Sequence, residues 1–251
     1  MIRILSEDDK DKFAIFISTD YSNRQNSNTQ QFSIACCTVP VVYLTYGIET
    51  FWKNYQEGFL FIIRHLLKMF QCKITTSARC YESDLFQPTV SELLNQQVEF
   101  KALTILHTQN MLFNRKFSNF GLIEDLRIIS VTHPGFRPVF SSWPQKISIK
   151  SSHWFTLESF LTCTSTNIIL EESCLVNKDL DVVLRKWKAG GYQNLKYLKI
   201  HSLRTAYNGE HVLEMNWMEL NGKVIQNDDG SKKATIELGP QSIEIYVTPF
   251  E

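Results

Sequence analysis

The sequence predicts an α/β protein: a leucine-rich-repeat-like stack of strand–helix units, with a β-hairpin and a helix before it and an antiparallel cap after it. Three observations carry this expectation. Five short apolar runs begin at Ala102, Leu126, Lys146, Asn167 and Lys196, at intervals of 24, 20, 21 and 29 residues, the period of units in which no single strand and helix can bury an apolar side without a neighbour. Capped amphipathic segments lie between some of these runs. From His211 the chain changes to longer alternating apolar and polar runs, the pattern of half-buried antiparallel strands.

Taken in order, Lys12–Ser18 and Gln31–Cys37 are short runs rich in Phe and Ile separated by a polar segment, and they predict a hairpin with a long loop. Between Phe59 and Phe70 the apolar residues Phe59, Ile62, Ile63, Leu66, Leu67 and Phe70 recur at three and four residues, which sets them on one helical face. Glu57 just before this helix and Lys68 near its end suit the helix dipole. Thr89-Val90-Ser91-Glu92 is a capping-box pattern ahead of Leu93-Leu94. The boundary between an N-terminal region, 1–89, and the repeat region, 90–251, is placed there.

Thr156 is positioned to cap a short helix carrying Leu157, Phe160 and Leu161 on one face. The segment Asn177–Gly191 has Asn177 as a cap, early carboxylates at Asp179 and Asp181, late cations and a Gly190-Gly191 stop. Its apolar face is Leu180, Val183, Leu184 and Trp187. In the cap, strands are expected at 212–217, 233–238 and 242–247, with turns at Asn227-Asp228-Asp229-Gly230 and Gly239-Pro240.

Composition sets the function classes. In 251 residues, 43% are apolar and 21% charged, with 26 basic and 26 acidic side chains, so no net field draws the chain to nucleic acid or to an anionic membrane. The longest apolar stretch, Ile34–Ile48, is interrupted by Thr38, Pro40, Thr45 and Gly47 and falls short of the ~20 residues a spanning helix needs. Neither a leader-like N-terminal segment nor an Asn-x-Ser/Thr acceptor occurs. The expectation is an intracellular protein, cytoplasmic or nuclear, with reduced thiols.

Chemistry-bearing motifs are absent from the sequence. The cysteines at 36, 37, 72, 80, 163 and 174 contain no C-x-x-C pair, and the histidines at 65, 107, 133, 153, 201 and 211 are isolated from one another, so no metal cage is predicted. His107 and His201 each directly follow an expected strand, where they could line one rim of the stack, but a surface or strand-end polar contact is the expected role. No phosphate-binding loop, G-x-S-x-G or H-E-x-x-H occurs, Gly190-Gly191 follows a helix rather than a strand, and Asp228-Asp229-Gly230 lacks the spaced ligands of a calcium loop. Lys186-Trp187-Lys188 has the residue types of a nucleic-acid stacking site, but Trp187 belongs to the apolar helical face. No catalytic, cofactor-binding or metal-binding residue is therefore assigned. A stack of this kind presents strand-end and loop residues suited to holding another polypeptide; the alternative is a small-molecule enzyme whose site has no sequence signature.

Ser152-His153-Trp154-Phe155-Thr156-Leu157-Glu158-Ser159-Phe160-Leu161, the strand Ile168-Ile169-Leu170-Glu171-Glu172-Ser173, and the run from Asn177 through Trp187 and Gly190-Gly191 to Leu195-Lys196-Tyr197-Leu198 resemble the F-box-associated domain, type 2, a family expanded in nematodes. Phe160 stands where the first of two leucines is usual. Phe51-Trp52-Lys53-Asn54 and Leu66–Cys72 are similar to the region that precedes this domain. The resemblance implies the substrate-recognition part of a cullin-type ubiquitin ligase receptor, which binds its target protein without catalysis. It also implies an N-terminal F-box opening with Leu-Pro, which Met1–Ser18 does not contain. Binding of the ligase adaptor is expected only of a longer form that carries one. Trp154, Leu157 and Trp187 are expected to fill the core.

Overall fold

The computed structural model describes residues 2–5, 12–19, 29–34, 37–77, 90–105, 120–130, 140–205 and 209–249. It is a mixed α/β structure with two sheets and few helices among these residues. The chain divides into two compact units, residues 1–73 and 74–251.

The first unit contains β1 (Ile2–Leu5), β2 (Lys12–Ser18), β3 (Thr29–Ile34), β4 (Cys37–Leu44), β5 (Gly47–Phe51) and α1 (Tyr55–Phe70). Its sheet order is β1-β2-β5-β4-β3. The expected hairpin of 12–18 with 31–37 does not form. β2 pairs antiparallel with β1 and parallel with β5, while β3 pairs antiparallel with β4. The hidden element is the β4–β5 hairpin, closed by Thr45-Tyr46, with Leu44 opposite Gly47. Because Val39, Val41, Val42, Thr50 and Phe51 are all buried, these two strands lack the clean alternation that marks a half-buried strand. Pro40 is tolerated because pairing with β5 stops at Val41, so its missing N–H lies where β4 has only one partner.

Gly47 permits the parallel contact: a Cβ there would lie 1.9 Å from the Ala14 carbonyl oxygen. At the other end of β5 the buried Thr50 hydroxyl donates to the Phe16 carbonyl (3.0 Å) and accepts from the Trp52 indole (3.0 Å). The Trp52 ring lies 5.3 Å from Phe61 and fills the space that a side chain at Gly58 would need. Helix α1 begins four residues earlier than its apolar periodicity predicts, because Asn54 Oδ1 accepts from the amides of Gln56 (2.9 Å) and Glu57 (3.2 Å). Glu57 consequently lies in the first turn, and α1 ends at Gln71 in the left-handed conformation (φ 49°).

The second unit contains β6 (Ile74–Ser77), α2 (residues 90–95), β7 (Phe100–Ile105), β8 (Ile123–Ile128), β9 (Lys146–Ile149), α3 (Leu157–Thr162), β10 (Asn167–Ser173), α4 (Asn177–Lys188) and β11 (Tyr197–Ser202). Three further strands follow: β12 (Val224–Gln226), β13 (Lys232–Gly239) and β14 (Ser242–Pro249). All five strands expected from the periodicity lie in one sheet, side by side in chain order and parallel, with β6 added beyond β7. The sheet continues antiparallel from β11 to β14, β13 and β12.

Residues 212–217 do not form the expected strand. Val212 and Met215 bridge across a tight turn in which Leu213 (φ 52°) and Glu214 (φ 67°) are both left-handed, and Asn216 then caps a 3₁₀ turn at Trp217–Leu220 with Glu219 returning the bond. The alternating pattern arose because Val212, Trp217 and Leu220 are each buried from irregular backbone. The Asn227–Gly230 turn joins β12 to β13 as expected, with Gly230 N donating to the Asn227 carbonyl (3.0 Å). The Thr89 cap lies outside the described residues.

Candidate interaction surface

The sheet of the second unit sorts its side chains by pairing. Leu103, Leu126, Ile147, Ile168, Leu198, Ile245 and Ile236 form one row across seven strands, and every one is buried. Ile105, Ile128, Ile149, Leu170, Ile200 and Ile243 form the next row on the same side. On α4, Leu180, Val183, Leu184 and Trp187 are all buried, as is Phe160 on α3. Two buried apolar sets within one compact unit share its core, and at roughly 25 cal/mol per Å² they supply most of its stabilisation. Trp154 and Trp187 are buried as expected, whereas Leu157 is half-buried. Ring contacts continue from Phe140 to Trp143 (4.2 Å), Trp143 to Phe155 (5.9 Å), Phe155 to Phe160 (6.1 Å) and Phe160 to Tyr192 (5.7 Å).

Buried hydroxyls tie neighbouring strands together at their ends. Ser152, after β9, donates to the Glu171 carbonyl (2.7 Å). Ser202, at the end of β11, donates to the carbonyls of Ser173 (2.8 Å) and Leu175 (2.9 Å) and accepts from the Arg204 amide (3.1 Å). Where the strands begin, Ser165 donates to the Pro144 carbonyl (2.7 Å). Backbone carbonyls at these turns between β9, β10 and β11 are thereby satisfied, which fixes the spacing of those strands. No sequence motif announced these serines; a serine two residues after the apolar runs that end at Lys150 and Ile200 was the available signal for Ser152 and Ser202, and none pointed to Ser165.

Helix ends are closed with equal economy. Thr156 caps α3 by accepting from the Ser159 amide (3.3 Å). Asn177 is not the cap of α4: it is the first helical residue and is fully buried, and Asp179 accepts from the Val176 amide (2.9 Å) instead. At the other end, Gly190 N donates to the Trp187 carbonyl and Gly191 N to that of Lys186, with Gly190 at φ 86°, the paired bonds of a glycine stop. Lys186 Nζ donates to the Leu161 carbonyl (2.6 Å), which joins α4 to the end of α3. Asp181 turns outward from that helix, accepting from Arg185 Nε (2.8 Å) and from the Leu213 amide (2.7 Å). The two aspartates therefore hold separate ends of local structure and do not form an acid–base pair.

With one side of the sheet buried, its other side carries the surface chemistry. Register places Ala102, Asp125, Lys146, Asn167, Tyr197, Tyr246 and Thr235 in one outward row, and Thr104, Arg127, Ser148, Ile169, Lys199, Glu244 and Glu237 in the next. Arg127 Nε donates to Asp125 Oδ2 (2.9 Å), and this bond raises the guanidinium further above its ordinary value. Glu244 is a hub: Lys199 Nζ reaches its Oε1 (2.8 Å), and the hydroxyls of Tyr197 and Tyr246 both donate to its Oε2 (2.8 Å each). The Lys199 bond first, then the two hydroxyls, hold the Glu244 carboxyl down to about 2. Burial and the Glu244 bond push the Tyr197 hydroxyl upward, and the Glu244 bond does the same for Tyr246. The tyrosine rings stand 5.1 Å apart. Phenols that donate to a carboxylate and resist ionisation present contact area, not a base.

His201 lies within β11, opposite Ser242, and not beyond the strand as expected. His107, Cys36 and Cys80 lie outside the described residues; Cys72, Cys163 and Cys174 are free thiols. Among the described residues no group of three or more histidine, cysteine or acidic side chains gathers as a metal site. No described helix is long and apolar enough to cross a membrane.

Residues 136–200 match the family model described as F-box associated. The matched segment contains β9, α3, β10 and α4 and enters β11, so the resemblance read between Trp154 and Leu198 falls on the parallel core. No curated protein and no solved structure matches the chain.

Proposed function

We propose that the second unit is a target-recognition module of the F-box-associated kind, docking a protein on the open side of its sheet without catalysis. The observation that carries this reading is the coincidence of the F-box-associated match with the parallel strands whose buried rows and hydroxyl ties make that outward side a fixed platform. Parallel strands in chain order, with helices between some of them, support reading this unit as a leucine-rich-repeat-like stack. A row of long polar, aliphatic and aromatic side chains on a rigid sheet supplies contact area at low ordering cost. In a longer form bearing an F-box, the module would act as the substrate receptor of a cullin-type ubiquitin ligase in the cytoplasm or nucleus. The ligase adaptor would be its second partner.

The test uses a photo-crosslinking residue at two positions of the full chain in cells. Ile169 lies in the outward row of β10; Val182 is exposed on α4. A discrete crosslinked partner from position 169 and none from 182 supports the docking face. Crosslinks confined to 182 remove it, and a metabolite that raises the melting temperature of the purified chain favours an enzyme instead.

A further inference from the structure

We propose that the outward side of β11, β14 and β13 receives a basic segment of the partner protein, one arginine or lysine lying over the Tyr246 ring and between Glu237 and Glu244. This inference rests on the recognition reading above and names the chemistry of the partner at that surface.

The geometry that points to it is a cross-strand pair of like charges. Glu237 and Glu244 are directly opposite each other on the same side of β13 and β14. Carboxylates so placed have Cβ atoms about 5 Å apart and repel. Lys199 meets Glu244 from β11, on the side away from Glu237, so two carboxylates face one ammonium within this group. A cation brought by a partner would relieve the repulsion.

The neighbouring tyrosines favour arginine or lysine on a polypeptide. Tyr246 is two residues from Glu244 on β14, on the same side, and remains 39% exposed. Its ring packs against Tyr197, and Glu244 holds both hydroxyls, so its face is fixed before anything binds. A guanidinium pairs with carboxylates through its planar fork and stacks on aromatic faces, and both modes are available here. Preorganised tyrosine beside a charged partner site is the composition from which binding hot spots are drawn.

Two fluorescein-labelled extended peptides of equal length, one alternating Arg and Thr and the other alternating Glu and Thr, are titrated with the full chain at physiological ionic strength and read by anisotropy. The Arg-Thr peptide binds and the Glu-Thr peptide does not. Glu237→Gln and Tyr246→Leu each weaken the Arg-Thr peptide by about three- to tenfold in a chain that remains folded at the assay temperature, and Glu237→Lys weakens it further. Equal binding of the two peptides, no binding of the basic one, or an Arg-Thr affinity indifferent to all three variants overturns the proposal. Crosslinking from position 169 that persists while the basic peptide fails removes this inference alone. Crosslinking lost while the peptide effects persist removes the recognition reading instead.

Discussion

The two sheets are built from similar short, apolar strands, yet they connect those strands by different rules. In the second unit, β6 to β11 follow one another in chain order, each parallel to the last. In the first, β2 skips β3 and β4 to pair with β5, and only that pair is parallel. The ties differ accordingly. Serines repeat along the strand ends of the second unit, whereas a single chain from Trp52 through Thr50 to the Phe16 carbonyl and a glycine at the closest backbone approach fix the first. A repeated arrangement distributes its stabilisation over equivalent neighbours, while an irregular one concentrates it at a few positions.

Removing the largest side chain tests the repeated region most severely. Trp187→Ala empties a site that is 3% exposed in the native state, and it should cost roughly 3–5 kcal/mol in denaturant unfolding. Loss of amide protection should centre on α4 and its adjoining strands. A near-neutral result would contradict a buried indole. In the irregular region, Gly47→Ala should cost about 2–3 kcal/mol, because the new Cβ meets the backbone of Ala14, which cannot rotate away as a side chain would. Hydrogen exchange of β2 and β5 should accelerate; unchanged protection there would show that the parallel pair tolerates separation.

This contrast also explains which features could be read from residues. Periodicity near 20–29 residues is a property of successive units, so it reported both the strands and their order. Buried helix faces such as Leu180, Val183, Leu184 and Trp187 were legible for the same reason: burial on one side imposes a period. β4 and β5 carried no such alternation, and nothing local distinguishes a strand that pairs with its successor from one that pairs three elements on. Asn177 illustrates a finer failure. A good capping residue stood one position late, at the first helical residue, and the carboxylate of Asp179 reaches back to the amide of Val176, which holds the cap position without a side-chain bond of its own. The outward surface was legible only in part, since Tyr197 and Lys199 lay in a predicted strand but Glu244 and Tyr246 lay in another more than forty residues on. Register across the antiparallel seam, and not spacing, brings the four together.

Between the strong core effects and the surface lies the serine ladder. Ser202→Ala removes a hydroxyl that satisfies two carbonyls and one amide, all at a fully buried position, and should cost about 1–3 kcal/mol. Restoring a hydroxyl with Ser202→Thr should recover part of the loss if the extra methyl is accommodated. A cost no greater than that of an exposed serine would mean that the stacked strands keep their spacing without the ladder, and the contrast with the first unit would rest on the apolar rows alone.

The smallest effect is the most specific, because it depends on pH where the serine effect does not. Glu244 titrates near 2 in the folded protein, against about 4.3 in an unfolded chain. A carboxyl lowered on folding contributes stability above its unfolded value and loses that contribution as pH falls toward its folded value. The difference in unfolding free energy between the natural protein and Glu244→Gln should therefore be full above about pH 5, shrink through about pH 3 and be lost only toward about pH 1. Its size at neutral pH should stay under about 1 kcal/mol, since the cluster is partly solvated and screened. The Ser202→Ala difference should carry no such step over this range. If the Glu244→Gln difference were flat with pH, Lys199 and the two hydroxyls would not be holding the carboxylate in solution. The tyrosine pair would then lose the fixed presentation that the outward surface of the antiparallel strands derives from it.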